Sequence, residues 1–189
     1  MNTLSLPLPN QLLLVIAPQA AKPQMLDLAA HLAIGGPLRV LDGGNQFNVY
    51  PVARTIRRLS HNLTATLQSI TLARAFTCYQ MVVMLNDAPI LTTPTLVFDL
   101  LSTFYDENVT MQESQRLLLS CFTQLRRLSQ QAPVVISARP PAPVCQERLS
   151  LLEQLRRITN LTWEAQEPTN PQSEISNGTN LTFNYPGFS

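Results

Sequence analysis

The chain reads as an α/β protein, a three-layer αβα sandwich built on a mostly parallel central sheet. Two observations carry that expectation. Short apolar runs alternate with amphipathic helical patterns from end to end, the order produced when crossover helices cover both faces of a parallel sheet. Several of these runs are apolar along their whole length, as in Leu12-Leu13-Leu14-Val15-Ile16, which suits strands buried on both sides. At 189 residues one domain is expected, large enough to bury a core without staples. Residues 1–163 are expected to form that core, and residues 164–189 a polar C-terminal loop with an edge strand.

The elements follow in order. The first strand, Leu12–Ile16, runs into the turn Ile16-Ala17-Pro18-Gln19-Ala20-Ala21-Lys22-Pro23 and then a helical stretch, Gln24–Leu32. Pro37-Leu38-Arg39-Val40-Leu41 predicts a second strand ending at Asp42, with Gly43 and Gly44 marking the turn beyond it. A helix is expected from Pro51, a residue suited to a first helical position; Val52, Ile56 and Leu59 form its apolar stripe. Ser69–Leu72 predicts a third strand, followed by a helix through Gln80–Leu85. Thr95-Leu96-Val97-Phe98-Asp99 is the clearest strand, β-branched and aromatic, closing on a carboxylate.

Thr110-Met111-Gln112-Glu113 has the pattern of a capping box, with hydroxyl and carboxylate each satisfying an orphan amide. It opens a helix whose Leu118, Cys121, Phe122, Leu125 and Leu128 recur on one face. Pro133–Ser137 predicts another strand. The rigid Pro140-Pro141-Ala142-Pro143 leads into an amphipathic helix bearing Leu151, Leu152, Leu155 and Ile158. Leu161–Trp163 and Leu181–Phe183 are short strand candidates on either side of a polar loop, Pro168–Asn180.

Composition narrows the function classes. A net charge of +1 gives no overall pull toward nucleic acid or membrane, and no apolar run approaches the ~20 residues that span a bilayer. Only 13% of residues are charged against 45% hydrophobic, which favours a surface partly covered by a partner. Asn62, Asn108, Asn160, Asn177 and Asn180 begin N-x-[ST] triplets. The N-terminus, however, lacks the positive charge of a signal peptide, and three unpaired cysteines imply no disulfide framework. The expected location is cytoplasmic. His31 and His61 are isolated, which points to neither a metal site nor a Ser-His-Asp arrangement.

Strand, turn, lysine, helix is the order of a nucleotide-binding P-loop, G-x-x-x-x-G-K-[ST]. Here Ile16 and Ala21 stand at the glycine positions and Pro23 replaces the metal-binding hydroxyl. Lys22 is the only lysine; the other twelve basic residues are arginine. Left-handed backbone costs a non-glycine residue about 1–2 kcal/mol, and Pro23 removes an N–H. Lys22 is read either as a phosphate contact or as a solvated lysine at a helix start.

Three further segments carry a resemblance. Leu41-Asp42-Gly43-Gly44-Asn45-Gln46-Phe47, Ala73-Arg74-Ala75-Phe76 with Gln80, and Leu96-Val97-Phe98-Asp99 resemble, in order and spacing, the core of the RecA/RadA recombinase superfamily. The similarity runs from about Leu12 to Arg139. It implies a RecA-like P-loop NTPase fold, with Lys22, Asp42, Asp99 and Arg139 along the carboxyl rim of the sheet. It also implies a degenerate nucleotide site: the turn lacks its glycines and hydroxyl, the family's catalytic carboxylate falls at Gly44, and its polar sensor is replaced by Arg139. The stretch between Asp99 and the capped helix is short for the family's first DNA-binding loop.

No residue is therefore assigned to catalysis. Lys22, Asp99 and Arg139 are the candidate nucleotide site, and ATP is the cofactor in question. Asp99 positions a metal-bound water or caps the turn after it; Asp42 joins the site or satisfies its own turn. Arg139 contacts phosphate in cis, contacts it from a neighbouring subunit, or pairs with Asp99. Arg54, Arg57 and Arg58 form one basic cluster, Arg126 and Arg127 another, and Arg156 and Arg157 a third. Such clusters attract a phosphate backbone or serve as solvated faces and interfaces. The resemblance implies an accessory protein of DNA recombination or repair, a pseudo-ATPase that docks onto a recombinase or other RecA-like subunit and touches single-stranded DNA. The alternatives are a weak ATP-binding enzyme using Lys22 and Asp99, and a regulatory pseudo-ATPase unrelated to DNA.

Overall fold

A computed structural model of the chain describes residues 2–165 and 181–184. The strands are β1 (Asn2–Ser5), β2 (Leu12–Ile16), β3 (Leu38–Asp42), β4 (Ile70–Arg74), β5 (Thr95–Phe98), β6 (Val134–Ala138), β7 (Leu161–Glu164) and β8 (Leu181–Asn184). The helices are α1 (Lys22–Gly35), α2 (Val49–Leu59), α3 (Leu63–Gln68), α4 (Cys78–Asp87), α5 (Met111–Ser129) and α6 (Leu149–Ile158).

Six strands form one sheet in the order β4-β3-β5-β6-β2-β7, every neighbouring pair parallel. The three-layer αβα sandwich expected from the sequence is what the chain forms. On one face α1, α2 and α3 close a core through Met25, Leu28, Val52 and Ile56. On the other, α4, α5 and α6 close a second through Met81, Leu118, Cys121 and Leu155. The central strands β2, β3, β5 and β6 are buried at every position, which explains why their sequences do not alternate. β1 and β8 pair parallel in a separate two-stranded sheet, so β8 does not extend the central one. The predicted loop Pro168–Asn180 lies outside the described residues. No helix among the described residues is long and apolar enough to cross a membrane.

Several boundaries differ from expectation, each for a local reason. α2 begins two residues before Pro51, because the Asn48 side chain accepts from Tyr50 N (3.0 Å) and fixes the start there. α1 begins at Lys22 and runs on to Gly35. The short α3 and the strand β1 add to the elements the sequence predicts; Asn62 caps α3 through its side chain. β4 runs on to Arg74, where Arg74 closes onto the buried end of β3. The capping box is only half made. Thr110 Oγ1 accepts from Glu113 N (3.3 Å), but the Glu113 carboxylate turns outward to a two-pronged pair with Arg116 (2.8 and 2.7 Å). An i,i+3 arginine outcompetes the cap amide for the carboxylate.

Candidate functional site

All six sheet strands point the same way, so the ends of β2, β3, β5 and β6 meet along one rim. After β2 the chain makes a 3₁₀ turn, Pro18–Ala21, in which Gln19, Ala20 and Ala21 are all left-handed at φ 52°. Ala21 thus holds the backbone geometry expected of the second glycine position. Ile16 does not stand in such a conformation: it ends β2 in register with Ala138 and bears no turn strain. Strain of about 1–2 kcal/mol falls on each of three successive non-glycine residues. Lys22 follows at the first helical position of α1, half-buried and without an ion pair among the described residues.

Asp42, at the end of β3, is fully buried and fully engaged. Its Oδ1 accepts from Gln46 N and its Oδ2 from Phe47 N, each at 2.9 Å, while Arg74 Nε lies 3.2 Å from Oδ2. Of the two readings of Asp42, the turn-closing one describes its contacts. Arg74 also donates to the Phe47 carbonyl (2.8 Å), tying β4 to the same turn.

Asp99, just past β5, is also fully buried but held differently. Its backbone is left-handed (φ 47°), and its N–H donates to Ser137 Oγ (3.0 Å). Oδ1 accepts only a long bond from Arg139 N (3.4 Å). Oδ2 lies 3.2 Å from Arg139 Nε, an ion pair whose angles fall short of a hydrogen bond, and has no hydrogen-bond partner among the described residues. Burial raises the Asp99 pKa above the usual carboxylate range and the Asp42 charge adds to this, while Arg139 pulls the other way. Arg139, its side chain 43% exposed, also donates to Ser102 Oγ (2.8 Å).

The carboxylate is also roofed by Gly44. A Cβ at Gly44 would stand 2.5 Å from Asp99 Oδ2 and 2.6 Å from its Cβ. The position where the resemblance puts a catalytic carboxylate is therefore filled by Asp99 itself. Arg139 and Gly44 line a concavity of about 650 Å³ together with Phe76, Thr103 and Tyr105. Tyr105 donates to the Arg139 carbonyl (2.9 Å), and burial, then the Asp99 charge, pushes its phenol well above the usual range. Arg148 closes the loop behind it, donating to the carbonyls of Phe104 (2.9 Å) and Val109 (2.6 Å) and to Ser114 Oγ (2.9 Å). The short stretch after β5 is thus folded down and pinned.

Lys22 belongs to a different concavity, of about 430 Å³, which it lines with Asn45, Asn48, Leu72 and Arg74. The three residues of the candidate nucleotide site therefore separate: Asp99 and Arg139 are joined, and Lys22 faces another groove. The residues do not fit Mg-ATP. Pro23 offers no hydroxyl, Asp99 already has an arginine counterion, and the catalytic carboxylate's place is occupied.

The basic clusters separate as well. Arg54, Arg57 and Arg58 are exposed on α2, on one face of the sheet, whereas α5 carries Arg126 and Arg127 on the other. Arg127 is engaged: it donates to the carbonyls of Leu85 (3.0 Å), Asn86 (3.3 Å) and Ala88 (2.8 Å), capping the carboxyl end of α4. Arg156 pairs with Glu164 (2.8 Å). Nothing in the sequence singled out Arg74, Arg127 or Arg148 for these bridges, since their partners are mostly backbone carbonyls that every residue carries.

Compared with family models and with curated proteins, the chain finds no match.

Proposed function

We propose that this protein is an accessory RecA/RadA-like protein of DNA recombination or repair, cytoplasmic, that acts by docking onto a recombinase or related subunit and touching DNA, without efficient ATP hydrolysis. The observation behind this reading is the outer edge of the sheet. Among the described residues β4 pairs only with β3, so one side of its backbone offers N–H and C=O groups for a further strand. Separately, Phe76 (69% exposed), Tyr79 and Val83 (56% exposed) run from the end of β4 onto α4 as an apolar stripe, with Phe76 at the rim concavity and Tyr79 next to Glu113 of α5. The open strand edge suits an extended segment of a partner, which adds a strand, and the exposed stripe on α4 offers the same partner an apolar contact. The mismatch of the rim with Mg-ATP supports the non-hydrolytic part.

Co-purification and filament-assembly assays with the host recombinase test the reading. Association is expected, and Phe76→Ala with Val83→Asp is expected to weaken it roughly tenfold or more, as hot-spot residues do. A wild-type protein that neither binds the recombinase nor alters strand exchange overturns it. Brisk ATP turnover by the purified protein overturns the non-hydrolytic part.

A further inference from the structure

Between Asp42 and Asp87 the chain contains no carboxylate side chain, yet it carries Arg54, Arg57, Arg58 and Arg74. The arginines of this acid-free stretch lie on α2 and at the end of β4, while its last helix, α4, packs on the other face of the sheet. The groove of Lys22 and Arg74 opens at the start of α2, with Asn48 and Val49 in its wall. Arg74 is held at its inner end by Asp42 and the Phe47 carbonyl, and still leaves 37% of its side chain exposed. From the groove the outer face of α2 continues through Tyr50, which is 80% exposed, to Arg54, Arg57 and Arg58. Positions 50, 54, 57 and 58 fall on one helical stripe, about 12 Å from Tyr50 to Arg58. None of the three arginines has an ion-pair partner among the described residues. A carboxylate of α1, Asp27, faces Thr55 of this helix (3.5 Å) and His31.

We infer that the Lys22–Arg74 groove and the outer stripe of α2 form one continuous path for the backbone of single-stranded nucleic acid. Lys22, Arg54, Arg57 and Arg58, without ion-pair partners among the described residues, form a row that matches the phosphates on a strand, and local charge of one sign attracts it although the whole protein is near neutral. Tyr50, projecting between the groove cations and the arginines, offers a face for base stacking, which suits unpaired bases rather than a duplex. Arg126 and Arg127 are not part of this path: they lie on the opposite face of the sheet, and Arg127 is spent on α4. The path deepens the proposed contact with DNA and rests on that reading. It is measured without any partner, so its failure and a failure of docking are separate results.

The test is fluorescence anisotropy of a labelled oligothymidylate over a salt series. Wild type is expected to bind at low salt, with log K falling linearly against log salt. Arg54→Ala with Arg57→Ala should lose at least tenfold in affinity and flatten the slope by about 1.4, roughly 0.7 for each phosphate contact removed; adding Lys22→Ala should flatten it by about 0.7 more. Tyr50→Ala should weaken binding and leave the slope unchanged. All these positions are exposed or half-exposed, and circular dichroism confirms that each variant is folded. The inference is overturned if wild type fails to bind, if the double variant keeps its affinity and slope, or if Arg126→Ala reduces the slope as much. Equal binding of a duplex overturns the single-strand assignment. Displacement of the oligonucleotide by inorganic phosphate at the same phosphate concentration does so too, pointing instead to a site for a small anion.

Discussion

Asp42 and Asp99 end neighbouring, paired strands, and both side chains are completely buried, yet their surroundings are opposites. Asp42 receives two short backbone hydrogen bonds and an arginine. Asp99 receives one long backbone hydrogen bond and a half-exposed arginine, on a left-handed backbone beneath Gly44. A buried carboxylate is stabilising only when its lone pairs are satisfied. By that measure Asp42 is architecture: it closes the turn that launches α2. Asp99 is a burden on stability that the fold tolerates, held in place by Arg139, which supplies the positive charge a metal would bring elsewhere.

The sharpest way to break this contrast is Asp42→Ala. Gln46 N and Phe47 N lose their acceptor and Arg74 its counterion, so the loss should be about 3 kcal/mol or more, read from the urea midpoint. A loss below about 1 kcal/mol would remove the architectural role.

Gly44→Ala comes next. Its methyl would overlap the Asp99 carboxylate, costing about 1–3 kcal/mol. Combined with Asp99→Gly, which removes the carboxylate and also the Cβ 2.6 Å away, most of that cost should vanish. Strictly additive effects in the double-mutant cycle would mean that the two residues do not share one space.

The smallest expected effect is that of Asp99→Asn, which removes the buried charge but keeps the shape and the tolerance of left-handed backbone. At neutral pH it should be no less stable than wild type, and more stable by up to about 1 kcal/mol. The pH dependence has a defined sign. With the folded-state pKa of Asp99 raised, the native state holds this proton more tightly than the unfolded chain does. The carboxyl's contribution to stability therefore grows as pH falls from the raised value toward the ordinary carboxylate range, and is lost as pH rises through the raised value. The amide introduced by Asp99→Asn does not titrate, so the stability difference between variant and wild type should shrink on acidification. Asp106 and Glu113, whose pKa values are lowered, are common to both proteins and cancel in the comparison. A difference that stays flat between about pH 7 and about pH 4 would contradict the burial-driven shift.

The layered fold was legible because it rests on apolar runs and helical periodicity, which are local signals. Leu12–Ile16 and Val134–Ala138 announce themselves as strands, and their parallel pairing follows from the helices between them. α3 left little signal, since it buries no residue fully and depends on the Asn62 cap. The candidate site was legible only in part. Order along the chain brought Lys22, Asp42, Asp99 and Arg139 to one rim, as the parallel sheet requires. It could not show that Lys22 and Arg139 face different concavities, or that Arg139 pairs with Asp99, because both depend on where turns of a few residues send their side chains. Three consecutive left-handed residues without a glycine have no sequence signature at all.

The wholly parallel sheet has a consequence for how the protein is made. No two of its six strands can be joined by a hairpin, and β2 takes both its neighbours, β6 and β7, from the far end of the chain. On the ribosome, this five-residue apolar strand emerges long before its partners and must wait for them. Until they arrive it is a sticky, uncharged segment of the kind that nucleates aggregation, and its shelter depends on α1 folding over it or on chaperones holding it.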